Sequence, residues 1–339
     1  MRWFALSILL LFAGCRQDIS ELPLSNNQTP PSPRLQFLGV TGFLLRWRDE
    51  GLLFDPFFSR PALPELFWMT PDTKEIDARM PEAADVTMLL VGHAHYDHLL
   101  DVAWVMRRHT LAATIYGSST AGHILRAELP ADRIVNAESK MARLLRGVES
   151  SRTVERKDGW FYSKNRGFRA MPVQSNHAPN FTGLDPAKGS WTYDLNALPK
   201  LAWNWREGQT LAWLVDLLDS EGRTVYRMHY QDSASDAPYG FPPDVGDNKR
   251  IDVVFLPVAS WSNVEGYPQR LLHLTRPRLV VLSHWEDFFG GSPDDPKILR
   301  AERHESTMIQ ITRDNVPKGT EIVMPRPFSY IALPAPEGH

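Results

Sequence analysis

The chain has 339 residues, 43% of them hydrophobic and 23% charged, with a formal net charge of −3. That length and composition suit a globular protein with a sizeable core, as one large domain or two small ones. The slight negative balance and the lack of a basic run leave nucleic acid without an electrostatic footing as a partner. The single cysteine, Cys15, excludes an intrachain disulfide.

Arg2 precedes an apolar run from Trp3 to Phe12, too short to span a bilayer as a lasting helix. Phe12-Ala13-Gly14-Cys15 follows. This stretch resembles the signal and lipobox of a bacterial lipoprotein, with Phe12 where leucine is usual. The resemblance implies removal of residues 1–14, acylation of Cys15 and attachment to a membrane in the cell envelope. Arg16, rather than an aspartate, after the cysteine implies an outer-membrane address facing the periplasm. Residues 15–34 are polar and proline-rich and read as an extended tether. The globular domain is expected to occupy residues 35–339.

Leu35 to Arg48 and Leu52 to Phe57 are β-rich and read as a hairpin across Asp49-Glu50-Gly51. Val86 to Val91 is a short unbroken apolar run, the pattern of a strand buried on both faces. Leu99, Val102, Ala103 and Met106 then recur at helical spacing. Ala113 to Tyr116 is strand-like, and Gly117-Ser118-Ser119 reads as a turn with a capping serine that opens a helix from Ser119 to Leu129. Gly167 to Val173 is a strand, and Leu211 to Leu217 pairs with Arg223 to Tyr230 across Asp219-Ser220-Glu221-Gly222. Ile251 to Val258 and Arg278 to Ser283 are further apolar strands, and Lys297 to Thr312 looks helical. Glu321 to Met324 and Ser329 to Leu333 close a sheet edge. Strands interleaved with helices, twice over, predict two packed sheets with helices outside, an α/β arrangement in one domain.

The chemistry concentrates in His93-Ala94-His95-Tyr96-Asp97-His98, directly after the strand at Val86–Val91. Three imidazoles and a carboxylate in one turn suit zinc and similar divalent metals. In an extended segment side chains two apart share a face, so His93, His95 and Asp97 point together while His98 points elsewhere. That division suits two adjacent metals better than one. Three more candidates follow apolar strands: His177, Asp232 and His284. Taken singly they read as a loop histidine, a turn or capping aspartate and a core histidine. No nucleophile elbow and no phosphate-cradling glycine loop accompanies them.

In this order the residues resemble the metallo-β-lactamase superfamily, whose pattern is H-x-H-x-D-H followed by a distant His, an Asp and a final His. The resemblance runs from about Gly39 to His284 and includes Phe54-Asp55-Pro56-Phe57 and Val281-Leu282-Ser283-His284. It implies a four-layer αββα sandwich. It implies that His93, His95 and His177 hold one metal, that Asp97, His98 and His284 hold a second, and that Asp232 bridges them. Tyr230-Gln231-Asp232-Ser233 departs from the Gly-Asp-Thr of many relatives, which leaves Asp216 as a weaker substitute bridge. Two divalent ions, zinc first and manganese or iron(II) as alternatives, would generate a bound hydroxide at neutral pH. Asp97 and Asp232 are the candidate catalytic carboxylates. Asp55, Asp101 and Glu286 are placed to orient the imidazoles. His109, His123, His229, His273, His304 and His339 match no motif position and read as structural or exposed.

The metals permit hydrolysis of a phosphodiester, ester, lactone or amide, so other residues must select the substrate. Trp191, Tyr193, Trp203, Trp205 and Trp213 lie between two ligand regions and read either as core or as a wall or lid over the site. The Phe57-Phe58 to Phe67-Trp68-Met69 loop adds aromatic surface suited to a lipid interface. The resemblance is closest to two branches, the N-acyl-phosphatidylethanolamine phospholipase D-like and the ascorbate-phosphate lactonase-like enzymes. The expected activity is a phosphodiesterase acting on a lipid-like or small-molecule substrate. A lactonase or esterase, and a non-catalytic metal-binding envelope lipoprotein, are the alternatives.

Overall fold

A computed structural model of the chain describes residues 32–144, 153–154, 159–179, 187–299 and 305–336. The signal segment, Cys15 and most of the tether, with His304 and His339, lie outside the described residues. Among the described residues no helix is long and apolar enough to cross a membrane.

β1 (Arg34–Gly39), β2 (Gly42–Trp47) and β3 (Glu50–Phe54) form an antiparallel meander. Parallel strands β4 (Val86–Leu90), β5 (Thr114–Gly117) and β6 (Ile134–Asn136) continue it. The expected single hairpin is instead two tight turns, at Val40-Thr41 and at Arg48-Asp49. Glu50 is a strand residue, not a turn residue. Its buried carboxylate accepts hydrogen bonds from Thr87, Ser163 and the backbone N–H groups of Asn165 and Gly167, and these donors hold an otherwise costly buried charge in the sheet.

The second sheet repeats the plan. β9 (Phe161–Tyr162), β10 (Phe168–Gln174), β11 (Leu211–Leu218) and β12 (Thr224–Tyr230) are antiparallel. β13 (Val253–Pro257), β14 (Leu279–Ser283) and β15 (Glu321–Val323) add in parallel. The last strand, β16 (Tyr330–Ile331), crosses back to pair with β1, so the two C-terminal strands close edges of different sheets. A separate two-stranded ladder joins β7 (Arg143–Leu144) to β8 (Thr153–Val154).

Strand alternation sorts the apolar side chains into layers. Phe37, Phe43, Leu52, Phe54, Met88 and Leu90 of the first sheet meet Trp213, Val215, Met228, Tyr230, Phe255 and Val281 of the second, forming the central core. Their neighbours Leu44, Leu53 and Leu89 face outward, onto α1 (Thr73–Arg79), α3 (Val102–Arg108) and α4 (Ser119–Leu125). A short helix, α2 (Tyr96–Leu99), precedes α3. On the far side Val254, Leu256, Val280 and Leu282 pack under α5 (Gln269–Thr275) and α6 (Glu305–Asn315). The result is the expected four-layer αββα sandwich.

Ser118 caps α4 as expected, accepting from Ala121 N, but the helix ends at Leu125 rather than Leu129. The helix expected from Lys297 is described over Glu305–Asn315, and Lys297 to Leu299 are not helical. Ile298 forms a β-bridge with Glu286, and Leu299 N donates to Trp285 O, so this backbone is committed to the β14 loop. The tryptophan-rich stretch divides. Trp205 and Trp213 are fully buried, Trp191 is partly buried, and Tyr193 is exposed. In the aromatic loop Phe57, Phe58 and Met69 are core residues, and of its aromatic side chains Phe67 and Trp68 are the exposed ones.

His229 lies in β12 with its ring fully buried, and burial pushes its pKa down to about 4, partly offset by the Gly240 backbone. A lowered folded pKa means the imidazole stabilises the fold only while neutral. That contribution is complete above about pH 6.5 and is lost as pH falls toward 4. His229→Leu is therefore expected to gain about 2 kcal/mol relative to the unsubstituted protein between pH 7 and pH 4.5. Denaturant midpoints at the two pH values check this, and a difference that does not vary with pH would contradict it.

Candidate metal centre

Four strands of the sandwich end at one rim. β4 from the first sheet feeds His93, His95, Asp97 and His98, and the second sheet contributes His177 after β10, Asp232 after β12 and His284 after β14. Hydrogen bonds across the sheets fix their mutual distance. Leu211 N donates to Gly92 O at 2.8 Å and Ala94 N to Glu207 O at 2.9 Å. Trp213 Nε1 donates to Val91 O at 3.2 Å, and the Tyr230 phenol donates to Asp55, with Thr41 O at 3.0 Å.

All seven expected ligands come together, in three overlapping groups: His93, His95 and His177; Asp97, His98 and His284; and His93, His98 and Asp232. Within each group the donor atoms lie within 4.8 Å of one another. Asp232 Oδ2 lies 2.5 Å from His93 Nδ1 and 3.7 Å from His98 Nδ1, so it sits between the two triads. Asp216 is remote from the rim, paired with Arg169 and Arg227, and is no substitute.

The donor chemistry fits divalent metal ions. His95 Nε2, His98 Nε2 and His284 Nδ1 are buried and make no hydrogen bond. Polar atoms in that situation are costly unless something partners them. His177 Nδ1 lies 2.6 Å from Ala178 O. A carbonyl only accepts, so Nδ1 carries the proton and Nε2 is left as a free donor pair. Ala178 N in turn donates to Ser233 Oγ, and Ser235 Oγ donates to Asn176 O, which ties the His177 loop to the loop after Asp232.

The electrostatics divide the cluster. Burial, reinforced by neighbouring imidazoles, holds His93 and His95 well below the usual histidine pKa, so both are neutral and able to ligate. Burial opposes charge on His98, but Asp97 and Asp55 overturn it and hold its pKa well above normal. Burial likewise opposes charge on Asp97, yet His98 and His284, at 3.5 and 3.3 Å, keep that carboxyl ionised. Asp232 is pushed up by burial, against the pull of His98, His177 and His284.

Of the three carboxylates expected to orient imidazoles, one touches a ligand. Asp55 Oδ2 lies 3.6 Å from His98 Nδ1, beside Thr41 Oγ1 at 3.1 Å, and Asp55 also accepts from Gly92 N at 3.0 Å. Burial pushes the Asp55 pKa up to about 6. Asp101 instead accepts from Phe58 N, Ser59 N and the Ser59 hydroxyl, and Glu286 from Val40 N, so both hold backbone. Of the remaining histidines, His109 pairs with Asp77 and His123 with Asp194.

Thr41, Tyr230 and Gly92 were not found from sequence, since their contacts join distant strands. Gly92 had a local signal as the glycine immediately before the histidine cluster. A Cβ there would lie 1.9 Å from Asp232 Oδ2. The backbone must pass that close for Asp232 to reach both triads. Gly92→Ala is therefore expected to displace Asp232 and weaken zinc binding at least tenfold. Competition with a chromophoric chelator measures this, and unchanged affinity would refute the steric argument.

The family profile described as a beta-lactamase superfamily domain matches residues 51–285. Igni18, a metallo hydrolase from the archaeon Ignicoccus hospitalis, is 12% identical, with 88% of this chain and 97% of that chain covered at a TM-score of 0.48. YhfI, a metallo-beta-lactamase fold protein from Bacillus subtilis, is 10% identical over 88% and 99% of the two chains, at 0.47. CmlA, a diiron β-hydroxylase from Streptomyces venezuelae, is 13% identical over 91% of this chain but 54% of its own, at 0.46. Comparison with curated proteins finds no match. The rim that β4, β10, β12 and β14 build carries His/Asp groups suited to binding metal ions, and with the profile spanning most of the sandwich the chain belongs to the beta-lactamase superfamily domain family.

Proposed function

We propose that the protein is a dinuclear metal-dependent phosphodiesterase acting on a lipid-like substrate at a membrane surface. The observation that carries the dinuclear reading is the pair of triads joined through Asp232. His93, His95 and His177 would hold one divalent ion and Asp97, His98 and His284 the other, with Asp232 shared; zinc suits this nitrogen-rich set best. Bound there, such ions supply Lewis acidity toward a phosphoryl oxygen and make water nucleophilic at neutral pH.

The protein's own residues do the remaining work. Asp97, held ionised by His98 and His284, acts as a ligand and proton acceptor rather than a proton donor. Asp232, whose pKa burial raises, must give up any proton it holds to serve as the shared ligand. His95 and His177 are the less buried ligands, so substrate enters on their side, while His98, Asp55 and Tyr230 close the opposite wall.

The lipid-like substrate rests on surface chemistry. Phe67 is 53% exposed, Trp68 74% and Tyr193 60%, unusual values for large aromatic side chains. The Phe67 ring meets Trp203 edge-on at 5.4 Å, linking the two aromatic segments. Aromatic rings of this kind favour the boundary between water and lipid. Acylation of Cys15 in the cell envelope would keep that surface beside a bilayer.

Turnover of bis(p-nitrophenyl) phosphate and of phospholipid vesicles, with and without chelator, tests the reading. Chelator and Asp232→Asn are each expected to reduce phosphodiester cleavage at least a hundredfold. Chelator-insensitive cleavage, or turnover of lactones and esters alone, would overturn it. Phe67→Ser/Trp68→Ser is expected to lower vesicle turnover severalfold while leaving the soluble diester unaffected. Equal loss on both substrates would remove the lipid-facing role from these aromatics.

A further inference from the structure

Behind His284 the structure carries a buried ion pair that no metal reading requires. Arg60 Nη1 lies 3.0 Å from Glu286 Oε2, and both side chains are almost wholly buried. The other carboxylate oxygen, Glu286 Oε1, accepts from Val40 N at 2.6 Å. Val40 O then accepts from His284 N, also at 2.6 Å. Val40 belongs to the β1–β2 turn of the first sheet and His284 to the end of β14 in the second, so the chain of contacts crosses the sandwich at its rim.

Both residues joined by that last bond have left-handed backbone, with φ of +54° at Val40 and +54° at His284. A β-branched residue resists this conformation, so something must hold it there. The Glu286 carboxylate, anchored by Arg60, is the group that does so. The packing is close: a Cβ on Gly39 would lie 2.5 Å from Arg60 Nη2 and 2.9 Å from Glu286 Oε1. Neither Arg60 nor Glu286 has a hydrogen bond to any of the seven proposed ligands, so their effect on the site passes through the Val40 backbone.

We infer that Arg60 and Glu286 are positioning residues for His284, and that they set the affinity of the Asp97–His98–His284 half of the site without altering the His93–His95–His177 half. This rests on the two-metal reading. Removing the Val40 acceptor releases the turn, and with it the carbonyl that fixes the His284 backbone. The imidazole then loses its aim at Asp97.

Two double variants separate positioning from bulk stability. Arg60→Met/Glu286→Gln and Arg60→Met/Glu286→Leu both remove the buried charges, and they differ in whether residue 286 can still accept from Val40 N. Stepwise zinc affinities are measured on the metal-stripped full-length protein by chelator competition. Histidine side-chain NMR spectra of 15N-labelled protein are recorded beside them. The glutamine variant is expected to keep both affinities within threefold of the unsubstituted protein. The leucine variant is expected to weaken one zinc step at least tenfold and the other by less than twofold, with displacement of the His284 ring signals and little change at His93 and His95. Equal weakening of both steps in the leucine variant, or no difference between the two variants, would overturn the inference. If the unsubstituted protein bound a single zinc, the two-metal reading would fail. The His284 signals would still decide the positioning role: displaced in the leucine variant alone they support it, and alike in both they refute it.

Discussion

The structure depends on holding the rims of two independent sheets a few ångströms apart. Neither sheet carries a complete set of donors. The first supplies four candidate donors from one loop after β4, and the second supplies three from loops after β10, β12 and β14. Apolar packing between the sheets brings the layers together, but it is non-directional and does not set the rim spacing. The directional part comes from hydrogen bonds across the gap: Leu211 to Gly92, Ala94 to Glu207, Trp213 to Val91, Tyr230 to Asp55, and His284 to Val40. Each uses a group that would otherwise be buried without a partner.

That spacing creates an electrostatic problem which explains the cluster's character. Five imidazoles and two carboxylates packed within contact distance compete for few protons, so His93 and His95 stay neutral while His98 and Asp97 stay charged. The outcome is free lone pairs on His93 and His95, an ionised Asp97, and a proton on His98 that a metal ion would displace. Such an arrangement would be unfavourable as a purely structural core, where replacement by apolar residues would cost nothing in hydrogen bonding. It is the preparation expected of a site that exchanges protons for divalent ions.

Much of this was legible in sequence because strand ends carry both signals at once. Val86–Val91, Gly167–Val173, Arg223–Tyr230 and Arg278–Ser283 announce strands by their apolar runs, and a histidine or aspartate follows each within a few residues. The sandwich itself follows from the alternation of Phe37, Phe43 and Leu45 with Leu44 and its neighbours. Contacts between sequence-distant groups were not legible. Glu50 looked like a turn residue because its four donors come from residues 87 to 167. Phe57, Phe58, Trp205 and Trp213 looked like candidates for surface because hydrophobicity alone does not say which side of a layer a loop residue takes.

The same limit explains the carboxylates. From sequence, an acid near a ligand suggests a bond to the imidazole. Asp55, Asp101 and Glu286 instead all take backbone N–H groups, at Gly92, at Phe58 and Ser59, and at Val40. Only Asp55 also reaches a histidine. A carboxylate bonded to an imidazole tunes one ligand, whereas one bonded to a loop's amides holds every side chain that the loop carries. The Val40 and His284 backbones, in a conformation that costs about 1–3 kcal/mol per residue, need the second kind of support. The rim is therefore organised from its backbone outward. The seven donors can be few, short and local in sequence because buried acids bonded to backbone amides shape the loops that present them.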